Sequence, residues 1–142
     1  MDHPELTLPA GTRIVADERL IPVETVPVDP EHDFRVGRPI GAVEFNEGYG
    51  ALERVDGVAT TTLRDPGDGH GVALWVGERI PWLQVYSADD VPGRERRSLA
   101  VEPMTAPADA FNSGTDLVTL APAGSPGDEL SVTRGIRAIT AD

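Results

Sequence analysis

"VATTTLRDPGDGHGVALWV", residues 58–76, decides the fold. Two runs, "VATTTLR" (58–64) and "GVALWV" (71–76), flank Asp65-Pro66-Gly67-Asp68-Gly69. β-Branched and aromatic side chains fit a pleated, half-buried surface, while Asp, Pro and Gly supply the dihedrals of a tight reversal. The stretch therefore predicts a β-hairpin. The same alternation of short apolar runs and turn residues continues in both directions. Upstream lie "ELTL" (5–8), "TRIVA" (12–16), "LIPVETVPV" (20–28) and a run ending at Val55 before Asp56-Gly57. Downstream lie "PWLQVYS" (81–87), "RSLAVEP" (97–103), "DLVTLAP" (116–122) and "ELSVTRGI" (129–136), with turn signals at Pro92-Gly93 and Ser125-Pro126-Gly127-Asp128. The 13 prolines mostly flank these runs, as strand-edge placement requires. Helical periodicity is almost absent. Many short strands at this spacing predict an all-β, mostly antiparallel sandwich or barrel. Neither a linker nor an internal repeat divides the chain, so residues 1–142 are expected to form one domain.

Composition narrows the partners. Charged residues make up 25% and apolar residues 39%, the balance of a soluble globular chain. Every one of the 12 basic residues is Arg, set against 24 acidic ones, for a net charge of −12. Phosphate backbones need a dense basic stripe, so no nucleic-acid partner is expected. "GRERR", with Arg94, Arg96 and Arg97, reads as a solvated loop rather than a phosphate site. The sequence contains no cysteine, and His3, His32 and His70 lack metal-ligand spacing, so no metal site is expected. No apolar run approaches a membrane span, and "MDHPELTLPAG" at the start lacks the features of a signal peptide. The expected compartment is the cytoplasm, with no membrane partner.

Strand alternation then asks which side chains share a face. In "SLAVE" (98–102), Leu99 and Val101 point one way and Ser98, Ala100 and Glu102 the other. In "WLQVY" (82–86), Leu83 and Val85 share one face, and Trp82, Gln84 and Tyr86 the opposite one. An amide flanked by two aromatic rings suits a sugar, whose C–H face stacks on rings and whose hydroxyls bond amides and carboxylates. On spacing alone it better suits a second packing layer in which Gln84 satisfies a buried backbone group.

At this point the residues resemble a known family. "LAVEPMTAPADAFNSG" (99–114) is similar to the C-terminal catalytic segment of the aldose 1-epimerases, or galactose mutarotases. "LTLPAGTRIVADERLIP" (6–22), "DFRVGRPIGAVEFNEGYGAL" (33–52) and "LQVYSAD" (83–89) resemble further segments of that family in the same order. The resemblance implies a galactose mutarotase-like supersandwich, here an incomplete one corresponding to the C-terminal half. It also implies a cofactor-free isomerase that interconverts the α and β anomers of a hexose by acid/base-catalysed ring opening. Glu102 takes the position of the general base, Gln84 that of a ligand to sugar hydroxyls, and Asn46 the position where the family carries an Asp. Trp82 and Tyr86 complete the implied substrate face. Asn112 is expected to shape the loop after Glu102 rather than to touch substrate. Glu47 could stand in for the family's Asp, although alternation puts it on the other face. The family's general acid is a His in an H-x-Y-F-like segment upstream of "LTLPA"; His3 lacks the following aromatic pair, and His32 and His70 fall elsewhere.

Other readings stay open at the level of sequence. A hexose-6-phosphate 1-epimerase would draw on Arg35 and Arg38; a non-catalytic carbohydrate-binding fragment would need only the sugar face. An incomplete sandwich would work with an N-terminal half or with a second copy of itself, and uncovered apolar surface and strand edges predict marginal stability.

Overall fold

The computed structural model describes residues 3–141. Its centre is the expected hairpin: β6 (Ala59–Arg64) and β7 (Gly71–Val76) pair antiparallel from Ala59 opposite Val76 to Arg64 opposite Gly71. The Asp65 and Gly69 amides close the turn onto the His70 and Asp65 carbonyls, and Gly69 takes the left-handed φ of 74° that the reversal requires. Further out are β1 (Glu5–Thr7), β2 (Ala10–Ala16), β3 (Pro22–Pro27), β4 (Arg38–Pro39) and β5 (Asn46–Leu52). On the C-terminal side are β8 (Trp82–Tyr86), β9 (Ala100–Met104), the single turn of helix α1 (Ala110–Ser113) and β10 (Arg134–Ile139).

The strands form two five-stranded antiparallel sheets, ordered β10-β7-β6-β1-β4 and β3-β2-β5-β8-β9. All-β architecture and sandwich layering are therefore as the alternation predicts. Between the sheets lie Leu6, Leu8, Phe34, Ile40, Phe45, Tyr49, Leu83 and Val85, each at most 1% exposed. Burying such a side chain stabilises by about 2 kcal/mol. Phe34 and Phe45 meet with ring centroids 5.3 Å apart, and Phe45 and Tyr49 at 6.1 Å, both tilted as ring quadrupoles prefer. No helix among the described residues is long and apolar enough to cross a membrane.

Three departures have local causes. The run 116–122 is no strand: the chain turns back on itself, with the Ala121 amide bonding the Gly127 carbonyl and the Ser125 amide that of Pro122. The last strand begins at Arg134 rather than near 129, because its ladder partner β7 ends at Val76. β5 starts at Asn46 and stops at Leu52, before Val55 pairs with Val58 across the Asp56-Gly57 turn.

Candidate functional site

Glu102 stands opposite Gln84 across the β8–β9 ladder, and Gln84 stands opposite Gly48 across β5–β8. Facing residues in such a ladder have Cβ atoms about 5 Å apart. One row up, Ala100, Tyr86 and Asn46 lie opposite one another in the same manner. Because β-strand side chains alternate, Glu102, Gln84, Tyr86, Asn46 and Trp82 all stand on the outer face of the second sheet, while Leu83, Val85 and Val101 turn inward to the core. The four candidate sugar ligands and the candidate base thus share one face.

Glycines shape that face. A Cβ on Gly48 would come within 2.9 Å of Ile14 Cδ1 but would make only an ordinary contact, at 3.7 Å, with Gln84 Oε1, so the missing side chain makes room for Ile14. A Cβ on Gly50 would meet the Trp82 ring at 2.6 Å. The indole accordingly lies flat on β5, and its N–H donates to Asp116 Oδ2 at 2.7 Å. Trp82 is 8% exposed, so it offers an edge rather than an open ring to anything bound in the row. Gln84 Nε2 donates to Asn46 Oδ1 at 3.5 Å, a long bond that leaves both amides capacity for further partners. Tyr86 is half-buried and its hydroxyl donates to Asp90. An open hollow of about 290 Å³ adjoins Asn46 and Tyr86, with Glu44, Asp89 and Asp90 on its walls.

Glu102 itself is exposed, and among the described residues no hydrogen bond or ion pair holds its carboxylate. The loop that follows is held by hydrogen bonds within its turn. Asn112 donates its side-chain amide to Asp109 Oδ1 at 2.5 Å and its backbone amide to the Asp109 carbonyl at 3.0 Å. Asn112 shapes the turn, as its position implied. On the other flank, Arg96 donates to the carbonyls of Gly41 and Val43 and to Asp89, so it pins the β8–β9 connection instead of offering a phosphate site.

Glu47 faces inward, as alternation requires. It accepts from Arg13 Nη1 at 2.9 Å and from the Tyr49 hydroxyl at 2.7 Å. Arg13 also reaches Asp29 at 3.0 Å, and His32 Nδ1 lies 2.9 Å from Asp29 Oδ1. Burial and the Glu47 charge raise the Tyr49 phenol far above its ordinary range. The His32 hydrogen bonds, with Arg13 adding to them, hold the Asp29 carboxyl well below its own. This network was not read from the sequence, since its members lie 34 and 16 residues apart. Asp29, Glu31 and His32 come close enough to share an ion, but Arg13 and His32 already satisfy Asp29.

The remaining candidates lie elsewhere. His70 sits in the β6–β7 turn beside Asp68, and His3 precedes β1 in the opposite sheet. Arg35 is bound to Asp33 and Glu53. Arg38 donates to the Asp33 and Glu31 carbonyls and lies 3.7 Å over the Phe34 ring.

The fold is shared with known molecules. The fold matches the GalM/aldose epimerase homologue of C. elegans with a TM-score of 0.76 at 13% identity, over 99% of this chain and 47% of that one. It matches an Escherichia coli K12 protein provisionally assigned as an aldose 1-epimerase with a TM-score of 0.70 at 18% identity, over 97% and 45% of the two chains. In sequence, the uncharacterized protein YihR of Escherichia coli K12 is 32% identical over 114 residues, 80% of this chain and 34% of YihR. No family model matches. The chain is thus an aldose 1-epimerase-like antiparallel β-sandwich. It spans rather less than half of the matched structures and about a third of YihR.

Proposed function

We propose that this chain belongs to the aldose 1-epimerases and acts at the anomeric carbon of a hexose, with Glu102 as general base. The observation that carries this reading is the unpaired Glu102 carboxylate in register with the Gln84 amide on one outward face. Glu102 would take the proton of the C1 hydroxyl while an acid protonates the ring oxygen as its bond to C1 breaks. Rotation about C1–C2 and closure on the other face give the second anomer, and both protons are then returned. Gln84 and Asn46 hold hydroxyls, and Tyr86 and the edge of Trp82 wall the sugar. The step consumes no redox equivalent and needs no cofactor.

Two features refine the reading. Arg35 and Arg38 are both engaged away from the row, which favours a free hexose over a hexose 6-phosphate. None of His3, His32 and His70 stands in the row, so none of the three serves as the acid. That same observation supports a second reading, a sugar-binding module without turnover.

Polarimetry of freshly dissolved α-D-glucose and α-D-galactose separates the two. The epimerase reading expects faster mutarotation with the protein than in buffer, reduced about 10²–10⁴-fold by Glu102→Gln. Full activity in that variant would remove Glu102 from its role. Saturable sugar binding with no acceleration would establish the binding module instead.

A further inference from the structure

Trp75 alternates with Leu74 and Val76, which pack on the core, so it stands on the outer face of the first sheet. Its ladder neighbours there are Thr60 of β6 and Gly135 of β10. A Cβ on Gly135 would lie 2.5–2.6 Å from three bonded atoms of the indole, Cζ2, Cε2 and Nε1, so the ring lies flat over the glycine. Gly135 does not take a left-handed φ, so the glycine is there for the ring and not for a turn of the chain. The indole is thereby fixed from below and borders an open hollow of about 400 Å³, walled by Val58, Thr60 and Arg137. The polar groups of that hollow are all free. The Trp75 N–H, the Thr60 hydroxyl and the exposed Arg137 guanidinium have no hydrogen-bond or ion-pair partner among the described residues. Trp82, the second of the two tryptophans, differs on both counts: it is 8% exposed and its N–H is held by Asp116. Covering a strand glycine accounts for the ring alone. It does not account for an unpaired cation beside that ring in a chain with 24 acidic residues.

We propose that this hollow is a second carbohydrate site, built for a pyranose that carries a carboxylate, a hexuronic acid. The C–H face of the sugar stacks on the indole, whose ring face is electron-rich. The Thr60 hydroxyl and the Trp75 N–H take sugar hydroxyls, and the planar fork of Arg137 pairs with the carboxylate. One guanidinium balances one carboxylate. A phosphate monoester carries about two charges at neutral pH, and no second cation among the described residues lines the hollow. Glu102 and Gln84 belong to the other sheet, so the second site stands or falls independently of the epimerase reading.

The test is a ¹⁵N–¹H NMR titration with sodium D-galacturonate at constant ionic strength, following the two indole N–H signals and the backbone amides of β6, β7 and β10. Trp75→Phe assigns the indole signals. D-Galactose supplies the ring without the charge, and sodium acetate the charge without the ring. The proposal expects saturable shifts at Trp75, Thr60 and residues 135–137 with galacturonate, and a Kd about tenfold or more higher for either control. Arg137→Gln, at an exposed position that leaves the fold intact, should weaken galacturonate about tenfold and leave the galactose response as it was. A Trp75 indole that does not move would overturn the proposal. So would equal affinity for galacturonate and acetate, which would reduce the site to an anion at Arg137, or equal affinity for galacturonate and galactose, which would leave the guanidinium without a role. Shifts confined to residues 46–48, 84–86 and 100–104 would place the sugar on the face of Glu102 alone and overturn it as well.

Discussion

Asn46 and Glu47 are neighbours on β5, yet they belong to opposite faces of the sheet and to opposite kinds of chemistry. Glu47 points inward, 14% exposed, with its oxygens on Arg13 and Tyr49. Asn46 points outward, exposed, with one long bond to Gln84. Two carboxylates of the sheet divide in the same way: Glu47 is enclosed by partners, and Glu102 has none among the described residues. A carboxylate whose lone pairs are all engaged holds a fold together, whereas one left free at a face can accept a proton from something else. The inner face thus engages its polar groups in the fold, and the outer one leaves a carboxylate open.

The inner face should be the costly one to disturb. Glu47→Ala leaves the partly buried Arg13 guanidinium with Asp29 alone and the buried Tyr49 phenol without its acceptor, and urea unfolding should show a loss of about 3 kcal/mol. A loss under about 1 kcal/mol would show that the network is ornamental and would break the contrast. Gly50→Ala comes next. Its methyl would meet the Trp82 ring at 2.6 Å, and a rigid indole cannot yield as a flexible chain end can. A destabilisation of about 2 kcal/mol is expected, with a red-shifted Trp emission as the ring leaves Asp116. Gly48→Ala clashes only with the flexible end of Ile14, at 2.9 Å, so about 1 kcal/mol is expected there.

Acid sharpens the comparison further. Asp29 in the folded chain titrates below its unfolded value, chiefly through the hydrogen bond from His32. Asp33 is lowered to about 2 by hydrogen bonds and charge from Arg35. A lowered folded pKa contributes stability that is complete above about pH 4, the unfolded value, and is lost as pH falls through the folded one. Stability should therefore decline from about pH 4 downward, and Asp29→Asn should flatten that decline. An unchanged slope would remove Asp29 from the network. Glu102→Gln should have the smallest effect on stability, within about 0.5 kcal/mol, because nothing in the fold leans on its charge.

The parts of this account legible in the sequence were those decided locally. Asp65 to Gly69 specify a reversal by their own dihedral preferences, and alternation alone separated Glu102 from Leu99 and Val101, Gln84 from Leu83 and Val85, and Glu47 from Asn46. What depended on distant partners was not legible. β4 is two residues long and exists because Arg38 and Pro39 meet Leu6 and Glu5. Residues 116–122 have a strand's composition but no ladder partner among the described residues. Trp82 stood on the expected face, yet its burial was set by Gly50 across the ladder and by Asp116 beyond the helix.

The most direct measurement of the central claim is a ¹⁵N–¹H NMR titration of the chain with D-galactose, following backbone amides and the side-chain amides of Gln84 and Asn46. The account predicts saturable shifts gathered at residues 46–48, 84–86 and 100–104, with both side-chain amides moving. Shifts gathered instead around Arg13, Asp29 and Glu47, or none at saturating sugar, would contradict it.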